Sequence, residues 1–314
     1  MNSCRVSVIM AVYNASDFVE EAILSIINQS YSDFELIIVN DCSTDNSLDI
    51  IQKYSNIDNR IILINNLQNL GRVGTRNQAL KLAKGEFIAI LDSDDISMLD
   101  RLEVQITFLD NHLNTFLVGS GAIKIDKEGL KIGTHNPITN HSKVEKVLKE
   151  KNCIYHSTIM FRNEGFFYRE KFLLSQDYDF YLQLLAANKR LTNIGNHLIK
   201  YRIYPDAASW KHAAKQRLFA NKALDFYFNK INNIEEGYDL FDPNSILKLD
   251  LINSTDKMIL ETEIVAFFKI SKYKDMREVC LKYFSNFGVF NKYFLIYLIS
   301  FFGTKTINLL RRYN

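Results

Sequence analysis

From Val6 onward, short apolar runs rich in β-branched residues alternate with longer stretches whose apolar positions recur every three to four residues. Runs of the first kind suit strands buried on both faces, and stretches of the second kind suit helices that cover them. The alternation predicts an α/β chain built on a mostly parallel sheet. Strands are expected at Val6–Val12, 35–40, Ile61–Asn65, 87–91 and 116–121, and again near 157–162 and 197–204. Between the first two, Phe18, Ala22, Ile23 and Ile26 share one helical face behind Asp17, a candidate cap; Ser43 or Thr44 can open the next helix. Helical spacing returns over 177–188 through Phe180, Leu184 and Leu185.

Past Trp210 the strand signals fade into long helical stretches, with Asp242-Pro243-Asn244 the clearest interruption. The expected division is therefore a nucleotide-binding and catalytic domain over 1–210 and a helical region over 211–314. The most apolar stretch, 293–302, is about ten residues, well under the roughly 18 a membrane-spanning helix needs.

The chain's 314 residues, 47% of them hydrophobic, suffice for a sizeable core, and a net charge of +2 is too small for a nucleic-acid partner. Charge is nevertheless uneven. Residues 264–314 carry nine basic side chains against two acidic ones, a local balance of +7. In that segment Phe290, Phe294, Tyr297, Leu298 and Phe301 fall near one helical face beside Lys292, Lys305, Arg311 and Arg312. Such a face suits either an anionic membrane surface or packing on the main domain. Four scattered cysteines form no metal or redox spacing, and polar Asn2, Ser3 and Arg5 precede the first strand where a signal peptide would need an apolar run. The expected location is the cytoplasm, peripheral on the inner face of the plasma membrane if the tail docks there.

Ligands of open α/β sheets bind beyond the carboxyl ends of the strands. Three polar sets sit there: Tyr13-Asn14 after the first strand, Asn40-Asp41-Cys42-Ser43-Thr44-Asp45 after the second and Asp92-Ser93-Asp94-Asp95 after the fourth. They offer an aromatic face for a base, a carboxylate for base or ribose, and oxygen ligands for a metal. Three clustered carboxylates repel one another unless a cation or many hydrogen bonds offset them, and Mg²⁺ or Mn²⁺ bridging to phosphates is one answer. The other is that Asp94 or Asp95 merely caps a helix running towards Asp110.

In order along the chain, Ser7 to Asn14, Ser25-Ile26-Ile27-Asn28-Gln29-Ser30-Tyr31, the Asn40 to Asp45 turn, Asn69-Leu70-Gly71 with Arg76-Asn77, Asp92-Ser93-Asp94-Asp95, Gln176-Asp177-Tyr178 and Tyr201-Arg202 resemble glycosyltransferase family 2 over roughly residues 5–210. The resemblance implies a Rossmann-like GT-A fold, inverting chemistry and a nucleotide-sugar donor, here a UDP-sugar. It also implies roles: Tyr13 and Asp41 at the base and ribose with Arg72 or Arg76 nearby, Asp92 and Ser93 at the donor, Asp94 on Mn²⁺ or Mg²⁺, and Asp177 as general base. Bacterial lipooligosaccharide and capsule transferases are similar, which points to a hexose or N-acetylhexosamine passed to a saccharide or lipid-linked saccharide acceptor. The chain departs from the family pattern at Ala11, Gln176 and Tyr204, and the last two leave room for a second reading, a nucleotide-sugar-binding protein with an inactive site. A dinucleotide-dependent oxidoreductase is disfavoured, because Tyr13-Asn14-Ala15-Ser16 stands where its glycine-rich turn belongs. His156 and Trp210 read more plainly as packing residues than as ligand contacts.

Overall fold

The computed structural model of the chain describes residues 4–204, 212–249, 254–269, 271–289 and 291–302. Trp210, Phe290, Lys305, Arg311 and Arg312 lie outside them. The chain divides into two compact units, one of Met1–Ile203 with Lys222–Phe241, the other of Tyr204–Asn221 with Asp242–Asn314.

The first unit opens with β1 (Val6–Val12), α1 (Val19–Ile27), β2 (Phe34–Asn40), α2 (Ser47–Ser55), β3 (Ile61–Asn65), α3 (Gly71–Leu82) and β4 (Phe87–Ile90). These four strands are parallel, in the order β3-β2-β1-β4. Their alternate residues fill both faces. Val6, Val8, Met10, Leu36, Ile38, Phe87 and Ala89 join Val19, Ala22, Ile23 and Ile26 of α1 in one core, while Ile9, Ile37, Val39, Ile88 and Ile90 are buried on the other side. Full burial of one such side chain contributes about 1.5–3 kcal/mol, so both faces of these strands contribute to stability.

Beyond β4 the sheet becomes mixed. β5 (Ile96–Ser97), α4 (Arg101–Asn111), β6 (Leu117–Ile125), β7 (Lys131–His135), α5 (His141–Leu148), β8 (Met160–Arg162), α6 (Gln176–Ala186) and β9 (Leu191–Arg202) follow. The order continues β4-β8-β6-β9-β5, with β8 antiparallel to both neighbours, β6 parallel to β9, and β7 paired on β6. The expected strand near 157–162 is shorter, because His156–Thr158 forms a 3-10 turn first. The expected strand near 197–204 begins earlier, at Leu191. Asp17 does not cap α1 but pairs with Lys127. Ser43 and Thr44 do not open α2, which starts at Ser47; both tie to Asn14 instead.

Residues 222–241 belong to this unit because Arg169 is enclosed by aromatics. Its guanidinium lies 5.1 Å from the Phe172 and Phe226 ring centres and 4.9 Å from that of Tyr238, and it pairs with both buried Asp179 and Glu236. In the second unit, α9 (Lys257–Lys269), α10 (Tyr273–Phe287) and α11 (Lys292–Ile299) bury a core of Leu260, Ile264, Met276, Cys280, Tyr283, Phe284 and Tyr293. Two helices precede them, α7 (Ala213–Ile231), whose residues from Lys222 onward fall in the first unit, and the single turn α8 (Asn244–Leu247). Among the described residues no helix is long and apolar enough to cross a membrane.

The turn into β4 is held by a buried carboxylate. Glu35 accepts from the Ser7 hydroxyl at 2.5 Å and the Lys84 amide at 2.8 Å, and the Ser7 oxygen accepts from the Gly85 amide at 2.8 Å. A Cβ on Gly85 would come within 2.7 Å of the Val6 carbonyl carbon and 2.9 Å of the Phe87 oxygen, both main-chain atoms that cannot swing aside. Gly85→Ala is therefore expected to destabilise the fold by about 1–3 kcal/mol, read as a lower midpoint in urea denaturation.

Candidate functional site

The loops after β1 and β2 are held in place by hydrogen bonds between them. Asn14 adopts a left-handed conformation, φ 48°, which asparagine tolerates better than a branched residue. Its side-chain oxygen accepts from the Thr44 amide at 2.8 Å, and its own amide donates to the Ser43 hydroxyl at 3.0 Å. Asp45 accepts from the Ser16 and Ser47 amides, and Ser47 accepts from the Ala15 amide. Most polar groups of this turn thus hold the site's wall. Tyr13 stands out from it with 52% of its surface exposed.

Asp41 is committed locally. Its carboxylate accepts from the Leu70 amide at 2.8 Å, the Gly71 amide at 3.0 Å and the Asn66 side chain at 3.1 Å, and it is buried. That is the capping of α3 by a carboxylate supplied from another strand. Gly71 itself requires the freedom of glycine, with φ 74° at the helix start.

α3 carries two arginines towards the loop after β4. Arg76 is buried and forms an ion pair with Asp92, while Arg72, one turn earlier, is exposed but still acts on Asp92 electrostatically. Burial alone would raise the Asp92 carboxyl, yet Arg76, then His156 and Arg72, outweigh it and hold it at about 2. The second terminal nitrogen of Arg76 is buried without a hydrogen-bond acceptor among the described residues.

The three carboxylates of Asp92-Ser93-Asp94-Asp95 do not converge. Asp95 turns inward, fully buried, and accepts from the Arg202 amide at 2.8 Å; burial and the nearby Asp94 and Asp92 push its carboxyl well above the usual range. Arg202 also donates to the Asp94 carbonyl at 2.9 Å, to the carbonyls of Asp126 and Lys127, and to Glu21. Asp94 and Ser93 remain half-buried between the two. Arg101 of α4 supplies a further buried charge, donating to the Ile90 and Ile159 carbonyls, and burial lowers it to about 9 against the opposing field of Asp95. Among the described residues, no three His, Cys, Asp or Glu side chains gather as a complete metal cage.

Asp177 lies in the first turn of α6, just after Ser175 in a left-handed conformation, φ 53°. Burial raises its carboxyl above the ordinary value, Arg76 opposes that shift and Asp92 adds to it, so the three side chains share one field. His156 is a satisfied packing histidine, one ring nitrogen 3.1 Å from the Tyr181 hydroxyl and the other 3.1 Å from that of Tyr168; burial first, then Arg76, lowers it to about 3, leaving it neutral. The structure thus brings Arg72, Arg76, Asp92 and Asp177 together, whereas Asp41 is spent on the α3 cap. Sequence reasoning gave no role to Arg202, Asn152, Tyr168 or Tyr181. Only Arg202 had a usable signal, as the arginine closing the last strand of the sheet.

Residues 7–169 match the sequence profile of Glycosyl transferase family 2, just over half of the chain, and the chain belongs to that family. An uncharacterized glycosyltransferase of Methanocaldococcus jannaschii is 35% identical over 230 residues, 71% of this chain and 79% of the relative. The Escherichia coli UDP-Glc:alpha-D-GlcNAc-diphosphoundecaprenol beta-1,3-glucosyltransferase is 33% identical over 208 residues, 65% and 79% of the two chains. A mannosyltransferase from Pyrobaculum calidifontis, solved with GDP-Man and Mn²⁺, superposes with a TM-score of 0.55 at 16% identity, covering 96% of this chain and 86% of that one. The fold is GT-A, as the resemblance implied, with a C-terminal helical region.

The depressed Asp92 carboxyl has a sign. Its folded value, about 2, lies below the ordinary aspartate value of 3.8, so the Arg76 pair contributes stability in full above about pH 4 and loses it as pH falls towards 2. Arg76→Met is expected to cost about 1–3 kcal/mol at pH 7, tempered by the 33% exposure of the Asp92 side chain. The difference from wild type should shrink between pH 4 and pH 2, measured by urea denaturation at three pH values.

Proposed function

We propose that this glycosyltransferase moves a hexose or N-acetylhexosamine from a UDP-sugar to a hydroxyl of a saccharide acceptor, with inversion, in lipopolysaccharide, lipooligosaccharide or capsule biosynthesis. The observation that carries the reading is Asp177: a carboxylate made more basic by burial, at the start of α6, in the shared field of Arg76 and Asp92. Raising a carboxyl in a site that also needs a fixed anion is the separation of roles that acid–base chemistry requires.

In this mechanism the exposed Tyr13 ring offers its face to the base, and Asp41 acts by fixing the start of α3. Asp92, held ionised, accepts from ribose hydroxyls, with Ser93 beside it. Arg72 and the unpaired nitrogen of Arg76 face the negative charge of the donor. Asp94 would hold Mn²⁺ or Mg²⁺, which would supply positive charge to neutralise the diphosphate as it leaves. Asp177 takes the acceptor hydroxyl's proton as that oxygen bonds to the anomeric carbon and the nucleoside diphosphate departs.

A lipid-linked acceptor is supported by the name of the Escherichia coli relative, and its headgroup would lie at a membrane surface. The helical unit suits such a surface. Leu281, Phe287, Phe294, Leu295, Leu298 and Phe301 are exposed together with Lys272, Lys274 and Lys292, whereas Tyr297 of the expected apolar face packs inward. Exposed apolar side chains interspersed with lysines fit an anionic leaflet. The full chain should sediment with phosphatidylglycerol vesicles and not with phosphatidylcholine ones; equal sedimentation of a chain lacking residues 287–314 would remove the tail from the explanation.

Transfer is tested by supplying UDP-galactose, UDP-glucose, UDP-N-acetylglucosamine, UDP-N-acetylgalactosamine and GDP-mannose with an acceptor panel, in Mn²⁺ or EDTA. Metal-dependent release of nucleoside diphosphate is expected from one UDP-sugar. Asp177→Asn should lower it by about 10²–10⁴-fold while UDP still binds. Binding without turnover on any acceptor would favour the inactive-site reading instead.

A further inference from the structure

One contact on the Asp177 carboxylate comes from outside its own helix. Asn152 lies in the loop after α5, and its side-chain amide donates to Asp177 Oδ2 at 2.8 Å. Its other side-chain atom is committed as well, since Oδ1 accepts from the Ile154 amide at 3.0 Å. That second bond settles the orientation. A flipped carboxamide would set its oxygen against the carboxylate and its NH₂ against an amide N–H, losing both interactions.

We propose that Asn152 is the positioning residue of Asp177, fixing the carboxylate's rotation and favouring its ionised, proton-accepting form; this rests on the reading of Asp177 as general base. An amide donor bonds an anionic oxygen about twice as strongly as a neutral one, so a fixed donor here favours the carboxylate over the acid. The backbone amides of Tyr178 and Asp177 and the charge of Arg76 favour the carboxylate too, and Asn152 adds a side-chain donor from a separate loop. Arg76, on α3, spends a guanidinium nitrogen on Asp92; Asp92, after β4, repels; Tyr168, between β8 and α6, and Tyr181, further along α6, have their hydroxyls on His156. Burial and Asp92 both favour protonation of Asp177, and the Asn152 bond joins the Tyr178 and Asp177 amides and Arg76 in opposing them, while the carboxylate's several lone pairs leave room for the acceptor hydroxyl. Asn152 is itself exposed, so it can be replaced without opening a core cavity.

The test reads ionisation directly. In the full chain labelled with ¹³C-carboxyl aspartate, the resonance lost in Asp177→Asn reports the Asp177 titration. Asn152→Ala removes the donor, and the midpoint should rise by about one pH unit, a tenfold gain in proton affinity. Asn152→Asp keeps the shape but adds a like charge, so its midpoint should rise further. The acid limb of the pH–rate profile, followed by release of UDP from the UDP-sugar that serves as donor, should move up in parallel. UDP affinity by calorimetry should stay as in wild type. An unmoved midpoint in both variants, with Asp177→Asn inactive, overturns the positioning role alone. Full activity of Asp177→Asn overturns the base assignment and this proposal together.

Discussion

Three carboxylates within four residues, Asp92, Asp94 and Asp95, repel one another, and the layout of the site follows from how the fold separates them. Asp92 is drawn to Arg76 on α3. Asp95 is turned into the interior and met by the Arg202 amide, with the buried Arg101 charge acting on it from α4. Asp94 stays between them, its carbonyl fixed by the Arg202 side chain. Each of these partners comes from a different element, so the loop after β4 keeps its shape only when α3, α4 and β9 are all in place. This arrangement ties the geometry of the loop to global folding more tightly than bracing by its own residues would.

The same division of labour sets the two acidic chemistries apart. Asp92 sits beside a buried guanidinium and is held ionised to low pH; Asp177, desolvated and facing the anion Asp92, is made more basic. Near them His156, bonded to the Tyr168 and Tyr181 hydroxyls, is kept neutral by burial until strongly acid pH, where its charge adds to that of Arg76 on Asp92.

Much of the first half of the fold was legible because its signals are local. β1 and β3 have the expected bounds, and β2 and β4 differ by one residue, since a strand buried on both faces shows itself as an unbroken apolar run. Later elements were harder. β7 is largely exposed and polar, and α5 is short, so neither leaves a strong hydrophobic period. The 3-10 turn at His156 shortened β8 for a reason no period records: the histidine is fixed by two tyrosine hydroxyls, one of them 25 residues away.

The site divides in the same way. The order of its motifs, the polar strand ends and the family were present in the sequence, because strand ends and side-chain chemistry are properties of short segments. Sequence could not assign the partner of each carboxylate. Asp41 reads as a ligand contact, and only the fold shows that its carboxylate also caps α3 through the Leu70 and Gly71 amides; Asp95 reads as a cluster member until the Arg202 amide turns it inward. Asn152 carries no motif at all; only folding brings it within 2.8 Å of Asp177. Hydrogen bonds and charge fields act over a few ångströms in space and take no account of chain separation, so the residues were written in the sequence and their pairings were decided by the tertiary structure.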